Sequence, residues 1–91
     1  MSIKVNILSP PLHQFTDNQN VVQVNGSTIG ECLDHLVKQF PEIEKGLFDR
    51  HGHLLNYVYF FINGKGTRPT DLAKPVKDGD EITISLLLPG G

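Results

Sequence analysis

The sequence is poor in cysteine: Cys32 is its single thiol in 91 residues. One cysteine cannot form an intrachain disulfide, which argues against a small secreted protein held together by such bridges. Long apolar runs are missing too, since no stretch approaches the ~18–20 apolar residues that a membrane-spanning helix needs. Residues 1–8 alternate apolar and polar side chains and lack the apolar centre of a signal peptide. We therefore expect a cytoplasmic protein that does not enter a membrane.

Clusters of positive charge are also absent. The sequence has 8 basic and 10 acidic residues, a formal net charge of −2, and its lysines and arginines are scattered singly. Nucleic-acid-binding proteins usually carry a basic face or stripe, so we predict no nucleic-acid partner. A chain of 91 residues is expected to form a single domain, 1–91, with one modest core and little room for an enclosed active site.

The side chains that most often perform catalysis occur here without partners. Cys32 lies on an apolar helical stripe, so we interpret it as a core residue and not as a nucleophile. His51 and His53 flank a glycine and supply at most half of a zinc site, which needs three or four ligands. His13 and His35 lie apart from them in the sequence. Without a catalytic triad or a phosphate-binding glycine loop, we predict no enzyme activity, no metal and no bound cofactor.

One segment has a clear helical pattern. Thr28 and Glu31 have the spacing of a capping box, in which two side chains satisfy free backbone N–H groups at the start of a helix. Pro41 ends the pattern, because proline disfavours helical angles in the residue before it. Apolar residues recur at helical spacing between these signals: Ile29, Cys32, Leu33, Leu36, Val37 and Phe40. We predict one main helix that buries this stripe.

Four segments have the alternation or composition typical of strands. They are residues 3–7, 21–24, 54–63 and about 81–88. Residues 65–77 contain two prolines and are predicted to be irregular. Placing the first and last strands side by side and parallel, with the helix across one face, buries the helical stripe and the inward strand residues. This is an α+β arrangement.

A candidate docking surface follows from the alternation along the last two predicted strands. If alternate residues of the third strand face the core, Tyr59 and Phe61 lie on the opposite face. Leu87 of the last strand is predicted to point the same way. These three residues form a predicted exposed apolar patch of the kind that often marks docking. The alternative is that residues 65–77 cover the aromatic side chains.

The sequence ends in Gly90-Gly91 after Pro89. Two glycines carry no side chains, so such a tail can enter the active site of another protein. The Gly91 carboxylate can then attack the α-phosphate of ATP and form an acyl-adenylate, which a sulfur or amine nucleophile opens. The alternative is an ordinary frayed terminus rich in small residues.

These segments together resemble the MoaD/ThiS family of small sulfur carriers, which have the ubiquitin-like β-grasp fold. The most specific features are the Asp78-Gly79-Asp80 turn and the terminal Gly90-Gly91. Further matching segments are Ile3-Lys4-Val5, the helix start 28–33 and Phe61-Ile62-Asn63-Gly64. The resemblance covers nearly the whole chain. It implies a β-grasp domain with a mixed four- to five-stranded sheet, one main helix packed across one face, and residues 89–91 as a flexible reactive tail.

The resemblance also implies a function. A ubiquitin-activating-type adenylating enzyme would use ATP to adenylate Gly91, sulfur would replace the adenylate to give a thiocarboxylate, and a synthase would accept the sulfur. Gly90 and Pro89 would give clearance in the partner's channel. The receiving pathway, of molybdopterin, cysteine or thiamin type, stays open. Two alternatives remain: a ubiquitin-like modifier conjugated to lysines, and a non-catalytic β-grasp interaction module.

Overall fold

The computed structural model describes residues 2–67 and 72–86. The strands are β1 (Ser2–Ile7), β2 (Val21–Asn25), β3 (Val58–Ile62), β4 (Lys65–Thr67) and β5 (Glu81–Leu86), and the helices are α1 (Ile29–Gln39) and α2 (Glu44–Leu47). Two 3₁₀ helices, Pro10–Phe15 and Pro41–Ile43, precede β2 and α2. In the part of the chain so described, no helix is long and apolar enough to cross a membrane.

The strands form one mixed sheet in the order β2–β1–β5–β3–β4. β1 and β5 are parallel, and the other neighbouring pairs are antiparallel. The first and last strands therefore lie side by side and parallel, as predicted, and β5 is the central strand. Parallel neighbours need a long crossover connection, and the chain that includes α1 provides it. The predicted α+β arrangement is confirmed.

The third strand is shorter than predicted. It spans Val58–Ile62 and not residues 54–63, because Leu54 forms an isolated bridge with Phe48 instead of joining the sheet. The backbone N–H of Leu55 likewise donates to the carbonyl of Leu47. The apolar residues before Val58 therefore belong to a separate small turn that packs beside the core.

The prediction of an irregular segment over 65–77 is wrong at its start, where Lys65–Thr67 forms the edge strand β4. A two-residue turn, Asn63-Gly64, connects β3 to it. Both turn residues have positive φ, 52° and 86°, as a type I′ hairpin turn requires. The Asn-Gly dipeptide was thus the sequence signal for β4.

α1 begins much as the capping pattern predicts. The Glu31 N–H donates to Thr28 Oγ1 at 3.1 Å. A capping box predicts that the Glu31 carboxylate accepts from the backbone N–H of Thr28. It accepts instead from the backbone N–H and the hydroxyl of Ser27, at 2.9 and 2.8 Å. These two hydrogen bonds, the backbone one foremost, lower the pKa of Glu31.

The apolar stripe of α1 packs against one face of the sheet and completes the core. Leu36 and Cys32 are fully buried, and burial raises the pKa of the Cys32 thiol, because its charged form loses water. The strands contribute Ile3, Val5, Ile7, Val22, Val24, Val58, Phe60, Ile82 and Ile84 to the same cluster. The interpretation of Cys32 as a core residue is confirmed.

α1 also blocks part of the outer edge of β2. The Gln39 side-chain amide donates to the Gln23 carbonyl at 2.8 Å. The Asn25 N–H donates to His35 Nδ1 at 2.7 Å. These side chains occupy main-chain groups that an added strand would otherwise pair with, so they protect the edge from association.

Candidate functional site

The face of the sheet opposite α1, which we call the free face, has a residue order set by strand pairing. One row across the five strands contains Val21, Asn6, Thr83, Phe61 and Gly66. The next row, toward the end of β5, contains Ser85 paired with Tyr59, and Leu8, whose N–H donates to the Ile84 carbonyl at 2.9 Å. Residues far apart in sequence thus become neighbours on this face.

These two rows hold the exposed large hydrophobic side chains found among the described residues. They are Leu8, 61% exposed, Val21, 43% exposed, and Tyr59, 37% exposed. Phe61 is half-buried between them and the edge strand. We call these four residues the apolar half of the free face.

The other end of the free face is polar. Lys4 pairs with Gln23 on one side and with Glu81 on the other, and none of the three is buried. The contrast between the two ends makes the apolar half a distinct surface. Asn6, Thr83 and Ser85 lie between these apolar residues in the same two rows, so the surface is mixed. Exposed apolar side chains gathered at one end of a sheet make it a candidate interaction site.

The Phe61 side chain is less exposed than the strand alternation predicted. It pairs in register with Gly66, and a Cβ placed on Gly66 would lie 3.7 Å from the Phe61 ring. Aromatic side chains often cover an edge glycine in this way. The alternative that residues 65–77 cover the aromatics therefore holds in part for Phe61, whereas Tyr59 is exposed.

The structure brings Tyr59 and Phe61 together on the free face. Leu87, the third member of the predicted patch, lies outside the described residues, and so do Pro89, Gly90 and Gly91. The docking and tail roles assigned to these six residues stay predictions.

The sequence analysis did not include Leu8 and Val21 in the predicted apolar patch. A signal existed for both, because alternation with the inward residues Ile7 and Val22 places each on the outer face. What the sequence did not reveal is that β1 and β2 bring them to the same end of the sheet as Tyr59.

The tail follows directly from this region. β5 is the central strand and its last residue is Leu86, at the end of the sheet where the apolar half lies. The chain continues from there into residues 87–91. The residues that lead to the predicted reactive terminus therefore follow a described residue, Leu86, that lies at this end of the sheet.

The histidine pair has a structural explanation. The His51 and His53 ring centroids are 6.5 Å apart, and the Asp49 carboxylate accepts from the two backbone N–H groups at 2.8 and 3.0 Å. The hydrogen bond from His53 is the main cause that lowers the pKa of Asp49. Within residues 2–67 and 72–86, no three His, Cys, Asp or Glu side chains come together in a way that could hold a metal ion.

The Asp78-Gly79-Asp80 turn also has a structural role. The Asp80 carboxylate accepts from the Lys77 N–H at 2.8 Å and from the Asn63 side-chain amide at 3.0 Å. Asp78 accepts from the backbone N–H of Ser2 at 2.7 Å. The hydrogen bonds to Asp80, that of Lys77 foremost, lower its pKa. The turn thus ties the start of β5 to its two neighbouring strands.

Comparison with solved structures finds the same fold in proteins of this size. SAMP1 from Haloferax volcanii has a TM-score of 0.86 at 24% identity, with 100% of both chains covered. A chain of the Amycolatopsis orientalis BexX/CysO complex has a TM-score of 0.84 at 26% identity, covering 98% of this chain and 99% of its own. Mycobacterium tuberculosis CysO has a TM-score of 0.82 at 27% identity, covering 94% of this chain and 99% of its own.

Sequence comparison identifies the family. A comparison with curated protein sequences found no match. The sequence model of the ThiS family matches residues 9–91, which is most of the chain. This chain therefore belongs to the ThiS family and has the β-grasp fold of ubiquitin-like sulfur carriers and modifiers.

Proposed function

We propose that this protein is a sulfur carrier whose terminal Gly91 takes sulfur, as a thiocarboxylate, to a biosynthetic enzyme. The observation that carries the proposal is that Gly90-Gly91 follows the central strand at the end where the apolar half of the free face lies. A terminus without side chains, in a chain whose last described strand ends at the side of the sheet that exposes Leu8 and Tyr59, suits a protein that is processed inside a partner. The ThiS family match supports the same function.

The chemistry takes place at the Gly91 carboxylate. One oxygen attacks the α-phosphorus of ATP in a ubiquitin-activating-type enzyme, and pyrophosphate leaves. A sulfur donor at the oxidation level of hydrosulfide then attacks the acyl carbon, AMP leaves, and the product is a thiocarboxylate without net oxidation or reduction. The protein is thus a co-substrate and not an enzyme, and ATP is used by its partner.

The body of the protein must hold this terminus in the partner's active site. Fully extended, the five residues after Leu86 reach at most about 18 Å, so the domain has to dock close to the reacting atoms. We assign docking to the apolar half, where Leu8, Val21 and Tyr59 are exposed. Pro89 and Gly90 then give the tail its clearance. The proposal places the protein in the cytoplasm, where it meets the adenylating enzyme and the sulfur-accepting synthase.

Mass spectrometry after incubation with the cognate adenylating enzyme, ATP and a sulfide donor tests the proposal. We expect the mass gain of one oxygen replaced by sulfur, and fragmentation should locate it at Gly91. Fragmentation is needed because oxidation of Met1 or Cys32 adds almost the same mass. A chain without Gly91 should stay unloaded. An unchanged terminus with an enzyme that loads another carrier would contradict the proposal.

A modifier that is conjugated to lysines is the second candidate. The support for this candidate is the similarity in fold to Haloferax volcanii small archaeal modifier protein 1. Both functions share adenylation and differ in the nucleophile, which is an amine for a modifier. An isopeptide bond between Gly91 and a lysine in the same incubation would favour the modifier. If neither product forms, the non-catalytic interaction module is favoured.

A further inference from the structure

The turn between β3 and β4 contains a chemically reactive pair of residues, Asn63 and Gly64. Glycine has no side chain to shield its backbone nitrogen, so this nitrogen can attack the side-chain amide carbon of a preceding asparagine. Both residues are exposed, and apart from the chain neighbours no heavy atom lies within 4 Å of the place that a Cβ on Gly64 would take. The space beside the attacking nitrogen is therefore open.

The Asn63 side chain, in contrast, is held at both of its polar atoms. Its Oδ1 accepts from the Glu81 N–H at 2.9 Å, and its Nδ2 donates to Asp80 Oδ1 at 3.0 Å. The Asn63 backbone N–H also donates to the Glu81 carbonyl at 2.9 Å. These hydrogen bonds continue the pairing of β3 with β5 beyond Ile62 and direct the amide toward the start of β5.

We propose that Asn63 is a site of deamidation, and that its hydrogen bonds to Asp80 and Glu81 protect the amide while β3 and β5 stay paired. In the first step the Gly64 nitrogen bonds to the side-chain carbon of Asn63, and ammonia leaves with the proton from that nitrogen. The product is a cyclic imide. Water then opens the ring to aspartate or isoaspartate, without oxidation or reduction. This inference does not depend on the carrier function.

Both products disturb the contacts that Asn63 makes. A type I′ turn accepts asparagine or aspartate before glycine. An aspartate at position 63, however, places a carboxylate oxygen against Asp80 Oδ1, where the amide now donates, and like charges repel. An isoaspartate adds one carbon to the main chain of the turn and so breaks the register of Ile62 with Lys65. Deamidation thus loosens the β4 edge and adds one negative charge.

Peptide mapping by mass spectrometry of the full chain, aged at mildly alkaline pH, tests the protection. The same chain in concentrated urea gives the unprotected rate. Asn63 should deamidate about thirtyfold more slowly in the folded chain, the factor that corresponds to its two side-chain hydrogen bonds. Asp80→Ala should raise the rate in the folded chain about tenfold, as expected for one hydrogen bond to a charged group.

Two controls make the comparison specific. Asp78→Ala alters the same turn, but Asp78 accepts from the Ser2 N–H and not from Asn63, so the rate at Asn63 should equal that of the wild type. The second Asn-Gly pair, Asn25-Gly26, is an internal reference on β2, which β1 separates from β5. Asn25 should deamidate at the same rate in the wild type and in Asp80→Ala.

Four outcomes would overturn the proposal. Absence of deamidation at Asn63 in urea would exclude the site itself. Equal rates at Asn63 in the folded and the urea-treated chain, or in the wild type and Asp80→Ala, would exclude the protection. Faster deamidation of Asn25 together with Asn63 in Asp80→Ala would indicate general opening of the chain. An equal increase in Asp78→Ala would show that the contact with Asp80 is not the cause.

The Asn63→Asp variant tests the effect of the product. At neutral pH it should lower the urea midpoint of unfolding. The same substitution in the Asp80→Ala background should lower the midpoint less, because the facing carboxylate is gone. Equal losses in the two backgrounds would contradict the repulsion between the deamidated side chain and Asp80.

Discussion

The two faces of β5 show how differently one strand can be used. Ile82 and Ile84 are fully buried in the core that α1 completes. Thr83 and Ser85 belong to the free face, in the rows that hold the exposed apolar residues. One face has its partner inside the chain, and the other lies in the open surface of the sheet, where Ser85 stands between Leu8 and Tyr59. Substitutions on the covered face should therefore reduce stability, whereas those on the free face should reduce binding.

Leu36→Ala should have the largest effect, because Leu36 is fully buried. Removing most of a buried leucine costs about 2–5 kcal/mol of unfolding free energy. Asp34→Ala, an exposed change on the same helix, is the control and should alter stability little. Urea titration measures both. Equal midpoints for Leu36→Ala and wild type would show that the covered face does not stabilise the fold as described.

Leu8→Glu should have the second largest effect, on binding and not on stability. Leu8 is 61% exposed, so a charge there costs the fold little, but it should weaken the complex with the adenylating enzyme by about 1–2 kcal/mol. Gln23→Glu adds the same charge to the polar half. Calorimetric titration should show lower affinity than wild type for Leu8→Glu and unchanged affinity for Gln23→Glu. Equal loss for both variants would indicate a general charge effect instead of a docking surface.

Gly66→Ala should stabilise the edge of the free face. The new Cβ would meet the Phe61 ring at 3.7 Å, an ordinary contact, and the unfolded chain loses freedom, so we expect a gain of about 0.4–1 kcal/mol. Gly26→Ala should do the opposite, because its Cβ would lie 2.8 Å from the Cys32 backbone nitrogen. Thermal unfolding measures both effects, and the melting temperature should rise for Gly66→Ala and fall for Gly26→Ala. A loss of stability in Gly66→Ala would contradict the described packing of Phe61.

Asp80→Asn should have the smallest effect, seen as a change in pH dependence. The folded state lowers the pKa of Asp80 below its ordinary value of 3.8. Its contribution to stability is therefore complete above that value and is lost as pH falls through the lower, folded pKa. The variant should lose less stability than wild type on acidification in that range. Urea midpoints at neutral pH and at pH values on either side of 3.8 measure the difference. If the urea midpoints of the variant and the wild type fall equally on acidification, Asp80 does not contribute to the pH dependence of stability.

Much of the covered face could be predicted from sequence, because its signals are local. The stripe that contains Leu36 repeats at the helical period, and Thr28 marks the helix start, so both follow from neighbouring residues. β4 was not predicted because Lys65–Thr67 has no apolar alternation, and the sequence signal for it was the Asn63-Gly64 turn that precedes it.

The candidate site could be predicted only in part. Tyr59 and Phe61 share one strand, so alternation alone placed them together. Leu8 and Val21 reach the same surface through register between strands that are distant in sequence, which no local pattern encodes. The Leu86 N–H donates to the Ser9 hydroxyl across 77 positions of sequence, a contact that also needed the structure.

The most direct test of the central claim is the chemical state of Gly91 in protein purified from the cells that naturally make it. Digestion and mass spectrometry of the C-terminal peptide should reveal a fraction that ends in a thiocarboxylate. That fraction should disappear when the gene of the adenylating enzyme is deleted. A terminus found only as a carboxylate, or only joined to lysines, in cells that are using the sulfur pathway would contradict the carrier function.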